Sequence, residues 1–395
     1  MNRCDGNRGD SFKWKRLGPS LPIPQKSRHL VKEMKLEVDE KLAEAAVVGG
    51  SFLGGGGGGD LKQGLRDAKH SIRIGDVYII DVDSVPNNSS IVTASAVGAP
   101  VAKEKYLVPE QMIRSTELLL ELENLNVGGI ISCENGGNST VNGWIQAAAL
   151  KIPVVDAPAD GRAHPTGVMG AMGLHKAEDY VSVQTAVGGN KKKKRWLELF
   201  VKGDLERTSR IVREAAVQAG GLVAVTRNPV SKNYVKENSA VGGITQAIEV
   251  GKIIKKHKDS LGEMINRIIA YLGGKLIDYG TVKNTTLETK GGFDVGNILV
   301  DGKKESRYEI VFWNEFMTLE ADGKYLGSFP DLIVLLNTEN SLPLTSAEIK
   351  RGQRVAILVV PQAHILLGAG VKDPEVLKQA ERVIGKRLIK KVKKC

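Results

Sequence analysis

A layered α/β domain with a glycine-rich loop, followed by a smaller mainly β domain and a C-terminal helix, is the fold class that this sequence predicts. Three observations carry it. Between residues 34 and 272, short apolar runs alternate with segments of helical period. After residue 272, short runs follow one another across Gly-containing turns. Finally "DPEVLKQAERVIGKRLIKKVKKC" begins with an N-cap and a proline at the first helical position, and it sets Val376, Leu377, Ala380, Val383, Ile384 and Leu388 on one face. The divisions that follow are 1–33, 34–272, 273–368 and 369–395. Residues 1–33 have prolines and glycines but no apolar periodicity, so they read as a disordered basic tail, with Met34 a second candidate start.

In chain order, "MKLEVDEKLAEAAVVGG" suits a helix of about ten residues stopped at Gly49 and Gly50. Six glycines come next in "SFLGGGGGGD", and Asp60 caps the helix-compatible "LKQGLRDAKH". A glycine run usually means a flexible linker, yet here it joins one helix to the next inside a domain. It therefore reads as a pocket-lining turn offering bare backbone N–H groups to a carbonyl or oxyanion, and valine at Gly56 or Gly57 is expected to harm ligand binding more than folding. "YIIDVDSV", "GGIISCE", "IPVVDA", "DYVSVQTAV" and "LVAVTR" read as strands, and "NKKKKRWLELFVKG" as a charged turn entering another. "PEQMIRSTELLLELENL", "STVNGWIQAAALK", "DLERTSRIVREAAVQAGG" and "GGITQAIEVGKIIKKHKD" read as helices. In the β part, Asp301-Gly302 and Asp322-Gly323 are hairpin signals.

The chain has 395 residues and a formal charge of +11. The charge sits at the ends: residues 1–33 carry +5 and residues 381–395 carry +6, leaving 34–380 formally neutral. Two solvated basic ends and an aromatic fraction of 5% weigh against a nucleic-acid site. Cys4, Cys133 and Cys395 are too scattered for a zinc site or a disulfide framework, and no apolar run reaches membrane-spanning length. The expectation is a cytoplasmic protein, with a homo-oligomer left open.

The densest chemistry lies in "CENGGNSTVNGWIQAAALKIPVVDAPADGRAHPTGVMGAMGLH", residues 133–175. Glu134 and Asp156 end successive strands, where open α/β sheets hold ligands, and Arg162 and His164 follow in the next loop. Each also has a plainer reading: Glu134 as a helix cap or a partner of Arg162, Asp156 and Asp160 as turn formers, His164 as a loop hydrogen-bond donor, and Cys133 as a packed strand residue. "NGGNST" has no P-loop lysine and no nucleophile-elbow spacing.

The ordered set "GGGGGGD", "ENGG", "PVVDA" with "GRAHP", "NPVS", "GGITQAIEVG", "GGFDVGN", "NEFMTLEADG" and "PDLIVLLN" resembles the S-methyl thiohydantoin desulfurase-like family, whose members are related to hydantoinases and oxoprolinases. The resemblance runs from about residue 36 to about 370. It implies an α/β part followed by a mainly β part, and hydrolysis at a ring carbon of a hydantoin-like heterocycle. Gly55, Gly56, Gly57, Gly58, Glu134, Gly136, Gly137, Asp156, Gly161, Arg162 and Pro165 stand where the family's recurring residues stand. The sequence departs from the family at Pro158, where many relatives have a second Asp, at His164, where they have an aromatic, and in "NSTVNG".

The expected mechanism is hydrolysis of a cyclic amide, imide or thio-imidate. Glu134 or Asp156 activates water, Arg162 holds the substrate and His164 protonates the leaving group. Gly55 to Gly58, Gly136, Gly137 and Asn138 line the substrate. No cofactor is required by this scheme, and a divalent metal held by Asp156, His164 and His175 is its weaker variant, lacking any HxH or HExxH spacing. The alternative is a non-catalytic small-molecule-binding or regulatory protein using the same pocket.

Overall fold

The computed structural model describes residues 35–99, 102–303 and 305–389, without the side chain of Lys290. The expected tail and the final lysines lie outside these residues. β1 (Lys35–Glu37), β2 (Tyr78–Ile80), β3 (Ser90–Gly98), β4 (Val127–Ser132), β5 (Val154–Val155), β6 (Ser182–Gly188), β7 (Leu197–Gly203) and β8 (Leu222–Val230) form one sheet. Their order is β1-β2-β5-β4-β3-β8-β6-β7. The central β2, β5, β4 and β3 are parallel, and every pairing outside them is antiparallel.

Helices α1 (Glu40–Leu53), α2 (Leu61–Ile74), α3 (Pro109–Glu123), α4 (Trp144–Leu150), α5 (Leu205–Gln218), α6 (Lys232–Asn238), α7 (Gly243–Lys256) and α8 (Leu261–Leu272) accompany this sheet. The alternation of side chains along a strand is visible in β8. Val223 and Val225 pack on Val212 and Ala216 of α5, whereas Thr226 meets the hydroxyls of Ser115 and Thr116 on α3 at 3.0 and 2.8 Å. Helices therefore cover both faces, and Arg227 leaves β8 on the α5 side.

Gly49 and Gly50, expected to stop α1, lie inside it. They are there for packing: a Cβ on Gly49 would strike the Ala247 carbonyl of α7, one on Gly50 the Thr140 hydroxyl, and one on Gly251 the Ala45 carbonyl of α1. The two helices approach backbone to backbone, and α1 ends at Leu53 instead.

The second sheet is antiparallel throughout. It contains β9 (Lys275–Lys290), β10 (Phe293–Gly302), β11 (Arg307–Trp313), β12 (Glu315–Ala321), β13 (Lys324–Ser328), β14 (Leu332–Asn337) and β15 (Arg354–Val360), in the order β13-β12-β11-β10-β9-β15-β14. Leu332, Val334 and Leu336 share a core with Phe52 and Leu53 of α1 and Ile268 of α8, while Ile333 and Leu335 face the other way toward Phe312 and Phe316. Asp322-Gly323 is a two-residue hairpin turn, with φ of 50° and 74°. Asp301-Gly302 instead ends β10, and the reversal lies beyond it, where the Gly302 N–H donates to the Ser306 carbonyl at 2.9 Å.

The last helix, α9 (Pro374–Ile384), buries Val376, Leu377 and Ala380. It is shorter than the apolar stripe suggests. Gly385 adopts a left-handed φ of 67° and ends it, so Val383 is 47% exposed and Leu388 is buried beyond the helix. Among the described residues, no helix is long and apolar enough to cross a membrane.

The α1–α7 contact makes a paired test. Gly251→Ala is expected to lower unfolding free energy by about 1–3 kcal/mol through overpacking. Gly262→Ala on α8, where a Cβ would meet nothing within 4 Å, should be neutral or stabilising by up to ~1 kcal/mol. Urea titrations of both variants read the difference directly.

Candidate functional site

The glycine run is buried from Gly54 to Gly58. It turns the chain from α1 into α2, whose N-cap Asp60 accepts the Gln63 N–H at 2.7 Å. Its carbonyls are anchored on both sides. Gly55 O accepts from Phe316 N and Gly56 O from Ser346 N, each at 2.8 Å, while Gly58 O accepts from Asn138 N at 2.9 Å and Ser139 N at 3.0 Å. The N–H groups of Gly56, Gly58 and Gly59 have no acceptor among the described residues. Gly56 has φ of 91°, and a Cβ there would lie 2.7 Å from the Phe316 ring, while one on Gly57 would strike the Glu315 carboxylate. Valine at either position therefore tests folding as much as ligand binding, contrary to the expectation from sequence.

Beside this turn opens a cavity of about 940 Å³ between the two sheets, lined by Gly56 to Gly59, Cys133, Glu134, Asn138, His164, Arg213, Arg227, Trp313 and Glu315 among others. Its floor includes the carboxyl ends of β3 and β4. Glu134 Oε2 accepts the His164 backbone N–H at 3.0 Å and stands 3.2 Å from the ring Nε2, which is also 3.3 Å from the Cys133 carbonyl. Two acceptors face Nε2, which suits a ring proton at that atom. Burial lowers the His164 pKa against the pull of Glu134, which favours the neutral ring. Glu134 thus neither caps a helix nor pairs with Arg162. Asn138 is fixed by donating to Asp67 of α2 at 2.7 Å.

Other expected site residues lie elsewhere. Asp156 is not on the cavity wall: its carboxylate accepts from Ile244 N at 2.7 Å, Thr245 N at 3.2 Å and the Thr245 hydroxyl at 2.5 Å, so it caps the start of α7. Arg162 is wholly buried, donating to the carbonyls of Pro330 at 3.1 Å, Asp331 at 2.6 Å and Ala163 at 3.2 Å, and it lies over the Phe329 ring. It fastens one layer to the other; its Nη2, next to Gly55, has no hydrogen-bond partner among the described residues. Gly55, Gly136 and Gly137 support the turn from behind; a Cβ on Gly136 would strike Gly58. His175 faces Asp373 at 2.6 Å, and among the described residues no three His, Cys, Asp or Glu side chains gather as a metal site. Asp156, His164 and His175 do not form one ligand set.

The residues that sequence reasoning missed come from afar. Glu315 begins β12, is 2% exposed, and burial, then the charge of Glu134, raises its pKa well above the carboxylate range. Its Oε2 has no hydrogen-bond partner among the described residues. Arg213 comes from α5 and Arg227 from β8. The "NEFM" quartet within the family pattern held the signal for Glu315, but nothing local ties it to Glu134, 181 positions earlier.

Two family models match the chain in series: the S-Me-THD-like N-terminal domain over residues 42–194 and the S-Me-THD-like C-terminal domain over residues 203–369. The chain belongs to the S-Me-THD-like family. None of the curated proteins compared with it matches. A crystal structure of a protein from Chromobacterium violaceum, determined as a structural genomics target, is similar with a TM-score of 0.68 at 19% identity, covering 89% of this chain and 96% of that one. A likeness at that identity speaks for the fold. In this S-Me-THD-like chain the sheets do not follow the model boundary, because β8 of the second segment lies between β3 and β6 of the first.

Asp160 gives the site region a pH signature. Burial pushes its pKa up to about 8, against a hydrogen bond from Gly368 N at 2.8 Å. The folded protein then keeps a proton that the unfolded chain releases near pH 4, so stability falls as pH rises from about 4 to about 8 and levels off above. Urea midpoints at pH 5 and pH 8 should differ in that direction, and Asp160→Asn should shrink the difference.

Proposed function

We propose that this cavity hydrolyses a cyclic amide, imide or thio-imidate of the hydantoin type. One observation carries the reading: Glu134 from the first sheet and Glu315 from the second line the same cavity, beside a glycine turn with unspent N–H groups. The chain's membership of the S-Me-THD-like family supports a thiohydantoin-related substrate.

In this scheme Glu134, oriented by the His164 amide and ring, takes a proton from water as its oxygen attacks the ring carbon. The negative charge that develops on the carbonyl oxygen, or on the imidate nitrogen, is met by glycine N–H groups. Glu315, kept protonated by burial, gives its proton to the departing ring nitrogen or sulfur as the C–N or C–S bond breaks. Before the next turnover Glu134 releases its proton to solvent and Glu315 takes one up, which restores both groups. His164 positions the base and Trp313 with Phe293 forms an aromatic wall, their centroids 5.1 Å apart. Asn138 fixes the rim. This assignment moves the acid from His164, as sequence suggested, to Glu315.

The experiment is a thermal-shift panel of hydantoins, S-methyl thiohydantoins and lactams, followed by product analysis of any that stabilise the protein. On a true substrate, Glu134→Gln should lower kcat by about 10²-fold or more. Because an acid must be protonated to donate, activity should decline at high pH as Glu315 ionises, and Glu315→Gln should be slow and lack that alkaline limb. Full turnover by Glu134→Gln would remove it from the scheme, and ligands recovered unchanged would leave a binding protein.

A further inference from the structure

We propose that β7 is a self-pairing edge: two copies of this chain join through antiparallel β7 strands about a two-fold axis at Phe200, which continues the first sheet from one copy into the other. The proposal is independent of the chemistry in the cavity.

β7 ends the first sheet, and among the described residues it pairs only with β6. The pairing runs from Leu197 opposite Gly188 to Gly203 opposite Ser182 without a bulge, so alternate residues of β7 turn their N–H and C=O groups away from β6. These outward groups meet no partner among the described residues. Both edges of the second sheet, in contrast, are met by other chain segments. The chain beyond α9 crosses β13, with the Ser328 hydroxyl donating to the Leu388 carbonyl at 3.4 Å and the Arg387 N–H to the Tyr325 hydroxyl at 3.3 Å. Residues 342–344 lie along β14, where the Leu344 N–H donates to the Leu335 carbonyl at 2.9 Å.

Proteins usually blunt an open edge with proline, a bulge or lone lysines, which repel a second copy. β7 has no proline and no bulge, and its lysine is matched by an acid. Its side chains are self-complementary on both faces. Leu197, Leu199 and Val201 pack toward Val212 and Ala216 of α5. Glu198, Phe200 and Lys202 project on the side of α3, where Glu198 meets Arg114 at 3.2 Å and Lys202 meets Glu123 at 3.0 Å. Phe200, midway between the two charges, is 37% exposed.

When an antiparallel copy is set with Phe200 facing Phe200, Glu198 of each copy stands opposite Lys202 of the other, and Leu199 stands opposite Val201. Residues directly opposite share a face, so the neighbouring registers that keep like faces together have their axis at Leu199 or Val201. These set Glu198 opposite Phe200 or Asp204, and the Phe200 register is the one that pairs acid with base. Charges then alternate across the junction: Arg114 and Glu198 of one copy, Lys202 and Glu123 of the second. Each ion gains an opposite neighbour and loses none.

The experiment is sedimentation velocity on the full chain from about 1 to about 100 μM, because a pair of seven-residue strands is a small interface. The wild type should pass from monomer toward dimer over this range. Glu198→Lys and Lys202→Glu should each weaken the dimer by about ten-fold or more, since two cross-strand pairs turn repulsive. Mixing these two variants should restore a one-to-one heterodimer, in which each altered charge meets its opposite. Melting curves verify folding, and Phe200→Glu, which sets two carboxylates at the axis, serves if either variant is not folded. A wild type that stays monomeric, a dimer that the variants leave intact, or weakened variants whose mixture stays monomeric would each overturn the proposal.

Discussion

The molecule is organised around a turn with no room for side chains. Gly54 to Gly59 pass between Gly136 and Asn138 on one side and Phe316 and Glu315 on the other, so close that a single methyl group would collide at each of the six positions. The carbonyls of the turn are claimed by Phe316, Ser346, Asn138 and Ser139, which belong to different layers. Because buried carbonyls must find donors, this turn fixes how the two sheets face each other. Glycine serves here through its size as much as its freedom, and the outcome is the opposite of a linker.

Much of the architecture was legible because it rests on local chemistry. Asp60 as a cap, the helices at residues 109–123 and 205–218 and the Asp322-Gly323 turn each announce themselves within a few residues. β3 was missed because "SIVTASAVG" is diluted with alanine and serine, and its strand character comes from lying between β4 and β8. Gly49-Gly50 misled because a helix contact with a distant partner outweighs the weak helix propensity of glycine. In the site, Glu134 and His164 were readable as members of one pocket, but the partner expected for Glu134 was Arg162, whereas the structure sets Glu134 on His164. Asp156 and Arg162 carry the same chemistry in sequence, and only burial distinguishes a cap and a buried fastener from reacting groups. Arg213, Arg227 and Glu315 were out of reach, being contributed by residues that meet only after both layers close.

The buried charges form a graded set. Arg162 is surrounded by carbonyl oxygens and the acidic groups of Asp160, Glu315 and Asp331, so its charge is compensated within the wall. Arg213 donates to carbonyls and feels Glu315 and Glu134 at longer range, and Arg227 has no hydrogen-bond acceptor among the described residues and feels Glu134 at longer range. Arg162 and Arg213 are held mainly by carbonyl oxygens, which fixes their guanidinium planes without neutralising them.

β8 sits between β3 and β6, although it belongs to the later part of the chain. A ribosome must therefore deliver more than two hundred residues before the first sheet can close, and until then β3 presents an open edge. A cut between the two halves would separate strands that hydrogen-bond in one sheet, so the first sheet is completed only by the later part of the chain.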